Sequence, residues 1–109
     1  MNEQRYKLRY LPAFYEDLEQ RIDYITEILK NTTAANKLLD DVEQAILARL
    51  PVAESFEQYH SKKDRKYPYY RIYVGNFVIY YVVIADEEPE KIMEVRRLLY
   101  KKQNRTEII

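Results

Sequence analysis

The chain has no cysteine, one histidine and one glycine in 109 residues, and each scarcity removes an option. Without cysteine there is no disulfide framework and no thiolate metal site; one histidine among scattered carboxylates argues against zinc. No apolar run approaches the length needed to cross a bilayer, and the opening "MNEQRYKLRYLPAFYEDLEQ" lacks a basic segment followed by an apolar one. These absences predict a protein without metal or cofactor that stays in a reducing cytoplasm and has no membrane association. Net charge is also missing, with 18 Lys and Arg balancing 18 Asp and Glu. What remains, nearly half of it apolar, suffices for one modest core and a single domain over residues 1–109.

Neutrality conceals an asymmetry. Residues 1–59 carry 7 Lys and Arg against 11 Asp and Glu, a balance of −4, and residues 60–109 carry 11 against 7, a balance of +4. Either acidic helices precede basic strands with both faces solvated, or the basic half meets an anionic partner. The closing stretch "RRLLYKKQNRTEII" poses the same alternative.

The pattern of apolar residues divides the chain. "YKLRYL", residues 6–11, alternates as a strand. Pro12 suits a first helical turn, and Phe14, Leu18, Ile22, Ile25 and Leu29 recur at helical spacing. "KNTT" interrupts, with Thr32 or Thr33 as N-cap, and Leu38, Leu39, Val42, Ile46 and Leu50 mark a second helix that ends at Pro51. So short a connection predicts an antiparallel helical hairpin. Residues 52–66 read as an irregular polar loop. "YPYYRIYV" and "FVIYYVVI" then flank Gly75 and Asn76, a tight hairpin turn at the one glycine, and "IMEVRRLL" follows as a third consecutive strand. The fold class is α+β: an N-terminal strand, a helical hairpin, a three-stranded antiparallel meander and a short tail.

A two-residue turn pairs Val74 with Phe77, Ile72 with Ile79 and Tyr70 with Tyr81, which places these six under the helices. The opposite, open face then holds Tyr69, Arg71 and Tyr73 across from Val82, Tyr80 and Val78. A cation among tyrosines suits RNA, phosphate or a partner chain, and equally suits ordinary cross-strand packing. On the last strand Met93, Val95 and Leu99 point inward and Arg96 outward, with Arg97 taking that place if a bulge intervenes.

The order and spacing of these segments, with "YKLRYLPAFYEDLEQRIDYI", "YRIYVGNFVIYYVV" and "RRLLYKKQN" as their landmarks, resemble the RelE/ParE superfamily of bacterial type II toxins over essentially the whole chain. The resemblance implies a growth inhibitor held inactive by a cognate antitoxin, whose extended or helical segment wraps the toxin. It also implies one of two activities. RelE-like members cut mRNA on the ribosome without metal, which requires a base at the ribose 2′-hydroxyl, cations at the phosphate and an acid at the leaving oxygen. Their hairpin lysine maps to Arg71, which stays protonated and is a poor base; their hairpin arginine falls at Val78, a tail cation near Lys102 or Gln103, and their tail tyrosine at Ile109. ParE-like members inhibit DNA gyrase by binding, with an arginine pair where this chain reads "YKKQN". A third possibility is a weakened toxin that acts mainly through its antitoxin.

The candidate catalytic residues are therefore Arg71, His60 and Lys102, His60 being the one side chain that titrates near neutrality. Candidates for binding RNA or a partner are Lys62, Lys63, Arg65 and Lys66 in the loop, Tyr73 and Tyr80 on the open face, Arg96 and Arg97 on the last strand, and Lys101 and Arg105 in the tail. An acidic and apolar antitoxin segment is expected over Tyr69, Tyr73, Tyr80 and Leu98.

Overall fold

A computed structural model describes residues 6–59, 66–85, 90–103 and 109. The elements in chain order are β1 (Tyr6–Tyr10), α1 (Pro12–Asp23) continuing into a π turn (Tyr24–Ile28), α2 (Thr32–Arg49), a 3₁₀ turn (Leu50–Val52), β2 (Gln58–Tyr59), β3 (Tyr69–Val74), β4 (Phe77–Ile84) and β5 (Lys91–Tyr100). The strands form one sheet in the order β1-β5-β4-β3-β2. The α+β class holds, but the sheet is mixed, because β1 runs parallel to β5 while the other neighbours are antiparallel.

Local chemistry sets the helix ends. Pro12 occupies the first turn, where a missing N–H costs nothing, and the Leu11 N–H donates to the Val95 carbonyl at 2.9 Å, tying the start of α1 to β5. At its far end α1 widens, the Leu29 N–H reaching back to the Tyr24 carbonyl at 3.2 Å, and Lys30 stops it with φ +53°, the left-handed conformation of a helix terminus. The N-cap of α2 is Asn31, not Thr32 or Thr33. Its side-chain oxygen accepts from the Ala34 N–H at 3.0 Å, an amide doing what a hydroxyl was expected to do one residue later.

The β3–β4 register is the one expected: Val74 faces Phe77, Ile72 faces Ile79 and Tyr70 faces Tyr81, around Gly75 at φ +56°. These six side chains pack with Phe14, Leu38, Val42 and Ile46 from the helices, and Tyr70 and Tyr81 stack at 5.1 Å and 11°. Residues 52–66 are not wholly loop, since Gln58 and Tyr59 add a fifth strand to β3.

β5 departs from simple alternation. Tyr80 pairs with Arg97 and Tyr81 with Val95, so Arg96 is an extra residue in a bulge. Before it, Met93 and Val95 point to the helices; after it, Leu98 does, and Leu99 joins the opposite face. The expected inward Leu99 and outward Leu98 are thus exchanged. Beyond the end of β1, α1 shields the outer edge of β5: the Asp17 carboxylate accepts from the Leu98 N–H at 3.0 Å and takes both Arg97 nitrogens at 2.7 and 2.8 Å. That hydrogen bond holds the Arg97 guanidinium in its charged form.

Two predictions follow from these contacts. Asp17→Ala removes the partner of a strand N–H and of a half-buried arginine, and should cost about 2 kcal/mol, a fall in Tm of roughly 10 °C. The second concerns Glu54, which accepts from Lys91 at 2.7 Å and from the Tyr6 hydroxyl at 2.8 Å. Burial opposes its ionisation, but those two hydrogen bonds prevail and hold its pKa below the ordinary 4.5. Its contribution is complete above pH 4.5 and is lost as pH falls through the lower folded value. Tyr6, partly buried and donating to Glu54, is pushed up from 10.0 to about 12, so its contribution is present below pH 10 and lost as pH rises to about 12. In denaturant melts across pH, Glu54→Gln should flatten the acid limb and Tyr6→Phe the alkaline limb.

Candidate functional site

Alternation predicts an open second sheet face, but the structure covers it. Tyr80, Val78 and Val82 are fully buried there and Tyr69 is 3% exposed. They pack with Ile84, Ile92, Leu99 and Ile109, and Tyr59 and Tyr67 close over them. Tyr59 and Tyr69 meet the Tyr80 ring edge-on, each at 5.8 Å. The physical reason lies in β4 itself: "FVIYYVVI" has no polar side to offer water, so both of its faces need cover.

What stays accessible is a cationic and aromatic strip along the margin of this cluster. The Arg71 guanidinium lies 4.8 Å from the Tyr59 ring and 5.8 Å from that of Tyr73, and the Lys101 ammonium sits 5.6 Å from the same Tyr73 ring. Tyr73 is 56% exposed. Backbone contacts fix both ends. Arg49, at the C-terminal end of α2, donates to the Arg71 carbonyl at 3.0 Å and to the Tyr81 hydroxyl at 2.9 Å, and Tyr81 donates in turn to the Ala53 carbonyl at 2.6 Å. Burial, only partly offset by Arg49, raises the Tyr81 pKa, so the hydroxyl stays protonated and keeps donating. At the other end the Lys101 N–H donates to the Asn76 carbonyl at 2.8 Å.

Arg96 and Arg97, expected as binding cations, are engaged within the chain. Arg97 is held by Asp17. Arg96 donates to Glu94 at 2.8 Å, and Glu94, itself 4% exposed, takes Arg9 from β1 at 2.6 Å on its other oxygen. A carboxylate so buried requires partners of this kind. Lys66 lies 5.2 Å from the Tyr67 ring, and Lys102 is exposed in the turn after β5. His60, Lys62, Lys63, Arg65 and Arg105 lie outside the described residues. The structure therefore brings together Arg71, Tyr73 and Lys101, places Tyr80 in the core beneath them, and gives Arg96 and Arg97 structural partners.

Reading the sequence missed Tyr59, the platform under Arg71, and the carboxylates Asp17 and Glu94. Glu94 carried a signal: a lone acid inside "IMEVRRLL" must be paired if the strand is covered on both faces. Chemically the strip can stack on flat groups and neutralise anions. Its arginine remains protonated and cannot serve as a base. Among the described residues no three His, Cys, Asp or Glu side chains gather as metal ligands, and no helix is long and apolar enough to cross a membrane.

Tyr80→Ala deletes a fully buried ring and should cost about 3–5 kcal/mol, whereas Tyr73→Ala should stay within about 1 kcal/mol of the parent in thermal melts. Arg71 and Tyr73, not Tyr80, are the positions at which function can be probed without unfolding the chain.

A family model described as the ParE toxin of the type II toxin-antitoxin system, parDE, matches residues 8–105. No curated protein matches the chain.

Proposed function

The chain belongs to the ParE toxin family of type II toxin-antitoxin systems, and from that premise we propose that it inhibits its target by binding, as a ParE-like inhibitor of DNA gyrase, and not by cutting mRNA. Membership supplies a cognate antitoxin as partner. The observation that carries the choice of mechanism is the state of two positions. Where RelE-like ribonucleases are expected to present an arginine and a tyrosine to the phosphate, this chain has Val78 and Ile109, which are 0% and 1% exposed and belong to one apolar cluster. Substituting a cation at Val78 would bury an unpaired charge. In this chain both positions serve packing.

The remaining groups fit recognition. Arg71 between Tyr59 and Tyr73 offers a flat, charged, partly exposed surface, and Lys101 extends it. Such a strip stabilises contact with anionic or planar groups without transferring a proton. Arg71, Tyr73 and Lys101 are the residues we assign to target contact.

The assay pairs two purified systems. In gyrase supercoiling, the protein should inhibit, and Arg71→Ala with Tyr73→Ala should reduce potency about tenfold or more while leaving Tm nearly unchanged. In primer extension on a reporter mRNA translated with purified ribosomes, no discrete cuts should appear. Ribosome-dependent cuts together with unaffected supercoiling would overturn this reading in favour of an endoribonuclease.

A further inference from the structure

The sheet face expected to receive the antitoxin is filled by the chain's own side chains. Exposed apolar side chains occur at several other places, one of them the end of the molecule where the π turn meets the β3–β4 turn. There Tyr24, Ile28 and Leu29 are 47%, 66% and 56% exposed. Their neighbourhood is not flat: Tyr24, Ile25 and Leu29 from the π turn and its exit face Phe77 and Tyr100 from the sheet across a cavity of about 370 Å³. A second hollow of about 200 Å³, lined by residues of α2 and by Gly75, shares Ile25, Asn76 and Phe77 with it. The two adjoin at the hairpin turn and are taken together as one groove.

The cavity contains a charge without a counter-charge. Arg21 lines it, its guanidinium 5.8 Å from the Phe77 ring and 5.5 Å from the Tyr100 ring. Among the described residues it forms no ion pair, unlike Arg9, Arg96 and Arg97, each of which has a carboxylate. The ring faces orient the guanidinium but leave its N–H donors for another acceptor. An arginine held by two rings inside an apolar hollow is complementary to a carboxylate carried beside apolar side chains. The π turn makes this possible. One extra residue in the turn widens the helix end, so that Tyr24 and Leu29 splay around the opening instead of packing down on the sheet.

We propose that this groove is an anchor site for the cognate antitoxin, which would insert an apolar side chain between Leu29, Tyr24 and Phe77 and place an adjacent carboxylate on Arg21. The antitoxin is the occupant because it is the partner that family membership supplies, and because a surface with this much exposed apolar area suits a protein that is kept covered. The inference rests on that partnership and not on the identity of the toxin's target.

The test measures the affinity of the full-length cognate antitoxin for the full chain by calorimetry, with no gyrase present. Arg21→Glu should weaken binding about 10- to 100-fold, and Leu29→Lys about tenfold. Leu29 is already exposed, so this second variant keeps its fold and its Tm. Reversing the charge of the antitoxin's contacting carboxylate to lysine should restore much of the affinity lost in Arg21→Glu, which a merely misfolded variant would not allow. Affinities within twofold of the parent for both variants would overturn the proposal. So would unchanged antitoxin binding with lost supercoiling inhibition, which would assign the groove to the target. If gyrase inhibition itself fails in the parent, the antitoxin measurement stands unaffected.

Discussion

The structure depends on a strand that has no polar side. Seven of the eight residues of β4 are buried, including Tyr80 and Tyr81 at zero exposure on opposite faces. Burying such a strand contributes to stability in proportion to the apolar area removed from water, but only if two separate layers are found to cover it. The helical hairpin supplies one layer. In a chain of 109 residues the second has to be assembled from fragments: the two-residue strand β2, the segment at Tyr67 and the terminal Ile109. This requirement explains why a stretch that reads as loop acquires a strand, and why Ile109 is buried.

The same constraint governs the charges. A sheet covered on both faces leaves no open field of arginines, and the strand with most of them, β5, has to neutralise its own. The bulge at Arg96 permits this by placing successive arginines where each reaches a different carboxylate, Arg96 to Glu94 and Arg97 to Asp17. The Asp17 contact also ends the sheet: by accepting the Leu98 N–H it occupies the edge that β1 leaves unpaired, the position at which another strand would otherwise add. Among the described cations of the C-terminal half, Lys91, Arg96 and Arg97 are therefore paired within the fold, while Arg71 and Lys101 stay accessible on one side of the β3–β4 turn, and Arg21 of α1 lies on the other.

Much of this was legible in the residues, and the limits have physical causes. The hairpin register could be read to the residue, because one glycine and a two-residue turn admit a single pairing and the side-chain period of two does the rest. The helix stripes were plain too, except that Leu29 and Leu39, expected in them, are 56% and 39% exposed. Four features escaped. The π turn and the exchange of Leu98 for Leu99 each come from one inserted residue, which periodicity averages away. The parallel pairing of β1 with β5 joins segments more than eighty residues apart and leaves no local pattern. The fourth was an error of inference: alternation was used to divide β4 into an inner and an outer face, although "FVIYYVVI" is apolar at every position and so calls for burial on both. The candidate site inherited that error through Tyr80. Arg71 and Tyr73 do stay accessible, because β3, unlike β4, carries a polar position.

The division of surfaces follows from the same geometry. Once both sheet faces are filled, a partner can meet the sheet itself only at its margins, and the end of the sheet at the β3–β4 turn is one such margin. On the second face that end presents Arg71, Tyr73 and Lys101; on the helix face it presents the hollow around Arg21, lined by Tyr100, the chain neighbour of Lys101. The backbone hydrogen bond from Lys101 to Asn76 joins the two sides through the turn. A partner that grips the hollow therefore passes close to the strip, and one that covers both would silence the strip without entering a catalytic cleft. Neutralisation by occupying a neighbouring anchor demands no conformational change, only that the anchor be rigid, and rigidity is what a turn fixed by a left-handed glycine and a backbone bond to β5 provides.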